Sequence, residues 1–137
     1  MITLDEYLGI WKDHPDVTPL VIQNAKELLK RVNALIEEVE GKNLKVSVNQ
    51  KTKSQISGDT LGGFRPQSCT IGAKNSSHKT GQAVDVFDPA DSLDWIIDKH
   101  PELLVKHNLY REAASATRTW CHLSTRAPKS GKRTFLP

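Results

Sequence analysis

Apolar residues recur every three or four positions between residues 21 and 39, a spacing that predicts an α-helix with one buried face. Thr18 and Pro19 precede this run and are typical of a helix start, because threonine can cap the first turn and proline fits the first helical position. Gly41 follows the run and is suited to end the helix. Residues 3–12 predict a shorter opening helix.

Shorter apolar segments further along the chain predict β-strands. Residues 44–48 alternate apolar and polar side chains, which is the pattern of a half-buried strand. Residues 83–87 and 120–124 are short, mostly apolar runs, and residues 133–136 form a last extended segment. Residues 50–79 are polar and rich in Gly, Ser, Thr and Lys, and a loop of this length in a compact domain is usually functional or mobile.

The order of these elements indicates an α+β fold. Ser92 and Pro101 are placed to begin two short helices between the later strands. Because helices and strands do not alternate as a repeated unit, we expect a small antiparallel sheet packed with helices. The chain shows no internal repeat and no linker, so we expect a single domain over residues 1–137.

The overall composition, with 37% hydrophobic and 26% charged residues, is that of a globular chain rather than a disordered one. No segment approaches the roughly 20 apolar residues that cross a bilayer, and the N-terminal residues lack the apolar core of a signal peptide. We therefore expect neither membrane insertion nor a signal peptide. Cys69 and Cys121 do not form a Cys-x-x-Cys pair, which excludes a zinc ribbon. The sequence leaves a disulfide between them open, but without an export signal we expect free thiols.

The net charge is +3, and basic residues gather near the C-terminus. This segment could be a solvated tail or a surface for an anionic partner such as cell wall, a membrane face or nucleic acid. Only 6% of the residues are aromatic and no stacking pattern accompanies the basic segment, so we expect no nucleic-acid partner. The basic residues concerned are Arg126, Lys129, Lys132 and Arg133.

The polar loop and the strand after it contain the residues best suited to metal chemistry. His78 stands at the end of the loop, and Asp85 lies inside the apolar strand 83–87. A carboxylate in such a strand is costly unless it is paired or bound to a metal, and imidazole and carboxylate are both normal zinc ligands. Taken alone, however, two such residues are more often a hydrogen-bonded structural pair.

His122 is the best candidate for a third ligand. It lies on the predicted strand 120–124 beside Trp120, which could form the wall of a pocket. Two histidines and one aspartate leave a zinc coordination position open, as expected of a catalytic rather than a structural site. The remaining histidines lie beside a proline or at a helix end and are expected to be structural or surface residues: His14, His100 and His107.

The segment 76–85, which reads Ser-x-His-x-x-Gly-x-Ala-x-Asp, resembles the metal-binding motif of the zinc D-Ala-D-Ala carboxypeptidase superfamily. This superfamily includes D,D-carboxypeptidases, vancomycin-resistance dipeptidases and phage endolysins that cut L-Ala–D-Glu bonds. The Trp-Cys-His segment 120–122 resembles its second motif, which supplies the third ligand. The resemblance implies a zinc D,D-peptidase-like fold in which His78, Asp85 and His122 hold a zinc ion.

Two further segments extend the resemblance. The Gly-Phe-Arg-Pro segment 63–66 resembles an upstream Gly-aromatic-Arg element whose arginine faces the substrate in that family, which implies this role for Arg65. Over nearly its whole length the chain is similar to small peptidase-like proteins encoded by phages and prophages. These proteins share the Thr-Pro-led helix and a C-terminal Pro-x-Ser-Gly-x-Arg-x-Phe-x-Pro run, which here covers residues 128–137.

The chain departs from the superfamily at the general base. In well-known members an acidic residue lies three positions before the last histidine ligand, but here that position is Thr119, which cannot accept the proton. The nearest upstream acid is Glu112, which could reach the zinc-bound water if residues 113–119 fold back. The alternative is that Glu112 is a surface residue and the protein is a weak enzyme or a metal-binding relic.

The function implied by the resemblance is that of a zinc-dependent peptidoglycan peptidase, either a carboxypeptidase or an endopeptidase acting on the stem peptide. Zinc would activate a water, Glu112 would move its proton to the leaving amine, and Arg65 would stabilise the oxyanion or hold a substrate carboxylate. As a phage or prophage endolysin, the enzyme would stay in the cytoplasm until a holin releases it to the cell wall. The alternative is a non-catalytic zinc-containing module that binds peptidoglycan or a phage structural partner.

Overall fold

The computed structural model describes residues 1–137. The chain begins with two helices. Helix α1 covers Leu4–Leu8, and a 3₁₀ turn continues it over Gly9–Trp11. Helix α2 covers Pro19–Gly41, and the side chain of Thr18 caps it by accepting a hydrogen bond from a backbone N–H of the first turn. The predicted helix and its boundaries are confirmed. Its apolar face belongs to one hydrophobic core of 24 buried residues.

The rest of the chain consists of short elements. In chain order these are a 3₁₀ turn at Ser77–Thr80, strand β1 at Ala83–Phe87, helix α3 at Ser92–Lys99, helix α4 at Glu102–Lys106, strand β2 at Tyr110–Glu112, strand β3 at Trp120–Ser124 and strand β4 at Thr134–Phe135. The general α+β class is confirmed. No helix in the protein is both long enough and apolar enough to cross a membrane.

The four strands form one sheet in the order β1-β3-β2-β4. Strand β3 runs antiparallel to both β1 and β2, whereas β4 runs parallel to β2. The prediction of an antiparallel sheet is therefore wrong for the last pair, and the sheet is mixed. After β3 the chain returns through residues 125–133 to the far side of β2, and this long connection allows β4 to run in the same direction as β2.

The predicted strand over residues 44–48 does not form. Val46 is buried as the alternation requires, but Val48 is 49% exposed. The N–H of Val46 donates to Oε2 of Glu40 at 3.3 Å, and the amide of Gln55 donates to the carbonyl of Val46 at 3.4 Å. Side chains thus satisfy the backbone groups of Val46, which would otherwise be available to a neighbouring strand.

Helix α3 begins at Ser92, but the side chain of this residue does not cap it. Instead, the carboxylate of Asp88 accepts hydrogen bonds from the N–H groups of Leu93 and Asp94 at 2.9–3.1 Å. Asp91 occupies the N-cap position in a left-handed conformation, with φ of 55°. The cap therefore comes from an aspartate four residues upstream of the helix, which local sequence patterns for capping do not detect.

Candidate metal centre

Asp85 and His122 lie opposite each other in the pairing of β1 with β3. Directly opposite residues of an antiparallel pair project from the same face of the sheet, so their side chains come together. Nδ1 of His122 is 2.9 Å from Oδ1 of Asp85. Asp85 is buried and the side chain of His122 is 14% exposed. The strand register thus brings two of the three predicted ligands into direct contact.

His78 brings the third predicted ligand to the same carboxylate. Its Nε2 lies 3.4 Å from Oδ1 of Asp85, and its Nδ1 lies 2.7 Å from the carbonyl oxygen of Gly63. A carbonyl oxygen can only accept a hydrogen bond, so Nδ1 carries the hydrogen and the neutral ring has its lone pair on Nε2. This is the arrangement by which a backbone carbonyl orients a metal-ligating histidine.

The 3₁₀ turn that carries His78 is held at both ends. The side chain of Ser76 accepts a hydrogen bond from the N–H of His78 at 3.2 Å. Gly81 ends the turn with φ of 76°, a conformation that glycine adopts without steric cost. A Cβ at Gly81 would lie 2.6 Å from the carbonyl oxygen of Val21 on α2. The serine and glycine of the motif therefore act by shaping the turn against α2.

Helix α1 positions the carbonyl that orients His78. A Cβ on Gly63 would lie only 2.1 Å from the carbonyl oxygen of Tyr7, so the two backbones are in close contact. The N–H of Phe64 donates to the same Tyr7 oxygen at 3.1 Å, and the phenol of Tyr7 donates to the carbonyl of Ala83 at 2.9 Å. Burial, together with the nearby charge of Asp85, raises the pKa of Tyr7, so the phenol remains a donor.

The three converging groups fit a metal ion. One ligand atom from each of His78, Asp85 and His122 lies within 4.8 Å of the other two. In a tetrahedral zinc site with bonds of roughly 2.0–2.1 Å, the ligand atoms are about 3.3 Å apart. The 2.9 Å and 3.4 Å separations from the Asp85 oxygen fall on either side of this value. These side chains could therefore bind a metal ion with only small adjustments.

The charges of the cluster are strongly coupled. Burial alone would raise the pKa of Asp85, but His78 and His122 outweigh it and hold the pKa well below its usual range. Burial would lower the pKa of His122, but the hydrogen bond and charge of Asp85, with a further contribution from Glu112, raise it. In the absence of a metal, Asp85 is therefore ionised, and His122 holds its proton more tightly than a free histidine does.

Arg65 supports the cluster from the side of Asp85. Its Nη2 lies 3.4 Å from Oδ2 of Asp85, on the opposite oxygen from the histidines. Its Nε donates to the carbonyl of Leu61 at 2.7 Å and its Nη1 to the carbonyl of Ile71 at 3.3 Å. The guanidinium therefore orients a predicted ligand and holds two parts of the surrounding loop. Arg65 also borders a cleft that opens at the cluster.

Glu112 lies beside the cluster, and Thr119 does not contribute to it. Strand β2 pairs with β3 so that Arg111 faces Leu123, and Glu112 follows one step further toward His122. Oε2 of Glu112 is 3.9 Å from Nδ1 of His122. Asp85, His122 and Glu112 thus project from three adjacent strands.

Thr119 lies before β3, where its N–H donates a hydrogen bond to Oδ1 of Asp91 at 2.8 Å.

A cleft of about 500 Å³ opens at the cluster and is bordered by all three predicted ligands and by Glu112. Trp120 lies in its wall, as predicted. Phe135 on β4 contributes a second aromatic wall, with its ring edge-on to His122 at a centroid distance of 6.3 Å. Arg126 also borders the cleft. Neither Phe135 nor Arg126 was expected at the site, because no local pattern indicates that the C-terminal segment returns to it.

A second group of acidic residues does not form a comparable site. Asp88, Asp91 and Asp94 lie close together. Each is engaged elsewhere, since Asp88 caps α3, Asp91 binds a backbone N–H, and Asp94 lies 2.9 Å from Nη1 of Arg111. We therefore assign this group to the structure of α3 and its surroundings.

No family model, curated protein or solved structure matches the chain. The resemblance of its motifs to the zinc D-Ala-D-Ala carboxypeptidase superfamily therefore stays a prediction.

Proposed function

We propose that the chain is a zinc-dependent peptidase that hydrolyses stem peptides of peptidoglycan. The observation that carries this proposal is the convergence of His78 Nε2, the Asp85 carboxylate and His122 Nδ1 at a cleft that Glu112 also borders. Charged and polar groups are costly to gather in a largely buried place unless they have a shared partner or task.

The donor set favours zinc among the common metals. Two imidazoles and one carboxylate are the ligands of many catalytic zinc sites, whereas magnesium and calcium prefer oxygen ligands alone. Three protein ligands leave room for a water and a substrate oxygen. A zinc ion at this position would supply Lewis-acid activation of water and of a peptide carbonyl.

Glu112 is the residue best placed to move protons in this reaction. Its carboxylate borders the cleft and lies 3.9 Å from Nδ1 of His122. Glu112 is therefore close to the three predicted ligands but farther from His122 than Asp85 is. It would accept a proton from the attacking water as oxygen bonds to the carbonyl carbon. It would then pass that proton to the amine nitrogen as the carbon–nitrogen bond breaks. Arg65 would stabilise negative charge on the carbonyl oxygen from its place beside Asp85.

The choice of substrate rests on the motif resemblance together with the size of the cleft. A cleft of about 500 Å³ is suited to a few residues of an extended peptide. The segments 76–85 and 120–122 resemble those of peptidases that act on peptidoglycan. On this proposal the protein is a phage or prophage endolysin that acts on the cell wall after its release from the cytoplasm.

The proposal is tested with purified peptidoglycan and protein of measured zinc content. We expect turbidity to fall and free amines to appear, with about one zinc per chain. A chelator should stop the reaction, and added zinc should restore it. The masses of the released fragments would identify the bond that is cut. Bound zinc without cleavage would refute the enzyme and favour a non-catalytic module that binds peptidoglycan or a phage structural partner.

The role of Glu112 is tested in the same assay. Glu112→Gln should retain zinc but lower turnover about 100-fold or more, because the amide cannot accept the proton. Glu102→Gln is the matched control, since Glu102 is an exposed acid on α4 away from the cleft. Full turnover by Glu112→Gln would remove this residue from the mechanism.

A further inference from the structure

Arg126 is a cation of the cleft that has no acidic partner. Its only side-chain hydrogen bond runs from Nη2 to the carbonyl oxygen of Asn75, at 2.7 Å. Arg65, the other arginine that borders the cleft, is paired with Asp85 and holds two backbone carbonyls. Of the two arginines that border the cleft, Arg126 is therefore the one whose charge is not already paired with a carboxylate.

The backbone around Arg126 is fixed by its connection to β3. The hydroxyl of Ser124, which is buried, accepts a hydrogen bond from the N–H of Arg126 at 3.0 Å and donates to its carbonyl at 3.2 Å. The bond to Asn75 then ties the guanidinium to the loop that leads into the His78 turn. Arg126 is an exposed residue, and this hydrogen bond holds its guanidinium at the cleft between the end of β3 and the loop.

The free edge of this guanidinium matches a carboxylate. Arginine has five N–H donors in a planar fork, and the bond to Asn75 uses one of them. The remaining donors can form the two parallel hydrogen bonds with which arginine recognises carboxylates. Trp120 and Phe135 border the same cleft and add apolar surface to it.

We propose that Arg126 binds a substrate carboxylate on the residue that follows the scissile bond, and that it thereby determines which peptides are accepted. This inference rests on the proposed peptidase function. Two stem-peptide groups have the required chemistry: the C-terminal carboxylate of a D-Ala-D-Ala end and the free α-carboxylate of a γ-linked D-Glu. In both cases the carboxylate belongs to the leaving residue, so the same arginine position serves either one.

Binding of matched peptide pairs to the zinc-loaded Glu112→Gln protein tests the inference without requiring turnover. The first pair is an N-acetylated peptide ending in D-Ala-D-Ala and its C-terminal amide. The second pair is L-Ala-γ-D-Glu with its α-carboxylate free or amidated, and with the other termini blocked. We expect one carboxylate form to bind about tenfold more tightly than its amide. The pair that shows the preference identifies the source of the carboxylate.

The same binding measurement with Arg126→Gln added should bring the two members of that pair to nearly equal affinity. Lys129→Gln is the matched control, because it removes the same charge from an exposed position of the same segment that does not border the cleft. This control should keep the preference. Zinc content is measured for every variant, so that loss of metal is not mistaken for loss of carboxylate binding.

The outcomes separate this inference from the proposed function. Cleavage of peptidoglycan without any Arg126-dependent carboxylate preference would overturn the inference and leave the peptidase standing. An Arg126-dependent preference without cleavage would support the inference as a binding property and overturn the peptidase. Equal affinities for the carboxylate and amide forms of both pairs would overturn the inference whether or not cleavage occurs.

Discussion

Asp85 and His122 face each other across two neighbouring strands, with 2.9 Å between Oδ1 and Nδ1. In this arrangement a proton on Nδ1 and a metal ion compete for the same lone pair, and the ionised carboxylate attracts both. The pKa of His122 is raised because its interactions with Asp85 and Glu112 outweigh the effect of burial. The pair therefore links the stability of the metal-free protein to pH.

The pH dependence has a definite sign. A raised pKa in the folded state means that the protonated His122 stabilises the fold. This contribution is fully present below the unfolded pKa, which is about 6.5, and is lost as pH rises through the raised folded pKa. Asp85 adds no slope near neutral pH, because its lowered pKa keeps it ionised there.

The measurement is the difference in free energy of unfolding between wild type and His122→Gln, both free of metal, from pH 5 to pH 9. We expect wild type to have its largest advantage at the acidic end and to lose it as pH increases. If the difference in free energy of unfolding stays constant over this range, the interaction of His122 with Asp85 does not depend on protonation of His122, and the prediction is wrong.

Arg65 gives a second prediction, because it hydrogen-bonds the free oxygen of Asp85 at 3.4 Å. Replacing a residue that orients a metal ligand typically weakens metal binding by about 10–100-fold, and we expect this of Arg65→Gln. The matched control is Arg31→Gln, which removes an arginine on α2 that pairs with Glu27. If competition with a chelator shows unchanged zinc affinity for Arg65→Gln but turnover falls, Arg65 acts on the substrate rather than on Asp85.

A third prediction concerns the buried ion pair beneath β2. Arg111 and Asp94 are both almost completely buried, and Nη1 lies 2.9 Å from Oδ1. Burial raises the pKa of Asp94 to about 6 even though Arg111 opposes this effect. Arg111 also bonds Asp98 on α3 and Thr134 on β4, and so connects three elements near the site.

We expect Arg111→Leu to lower the free energy of unfolding at pH 7 by about 3–5 kcal/mol, because Asp94 would remain buried without its partner. The double variant with Asp94→Leu should recover part of this loss. Arg118→Leu removes the exposed partner of Asp91 and should cost less than about 1 kcal/mol. Urea denaturation checks all three variants, and a loss for Arg111→Leu as small as for Arg118→Leu would contradict the prediction.

The parts of the fold that could be predicted are those with a local cause. The long apolar repeat determined α2, and the short apolar runs determined β1 and β3. By contrast, the segment 44–48 has the alternation of a strand, but the backbone groups of Val46 at its centre bind the side chains of Glu40 and Gln55. The direction of β4 depends on the path of the long connection before it, which leaves no trace in the local pattern.

In the candidate site, too, some features have a local cause in the sequence and others depend on tertiary contacts. Residue types and spacing made His78, Asp85 and His122 candidate ligands, and the motif resemblance implied their grouping. The structure brings the three residues together. Glu112 reaches the cluster for a reason that the sequence did not reveal, since β2 is only three residues long and has no periodic pattern of its own. Arg126 comes to the cleft through a tertiary contact with Asn75, 51 residues away in the chain.

Zinc titration of the metal-free protein, in competition with a chelator, tests the central claim most directly. We predict one tight site per chain in wild type and its loss in His78→Ala and His122→Ala, because two ligands cannot hold the ion tightly. His100→Ala, which removes a half-exposed histidine near α4, should bind zinc as wild type does. Absence of a tight site in wild type, or undiminished affinity in His78→Ala, would contradict the account.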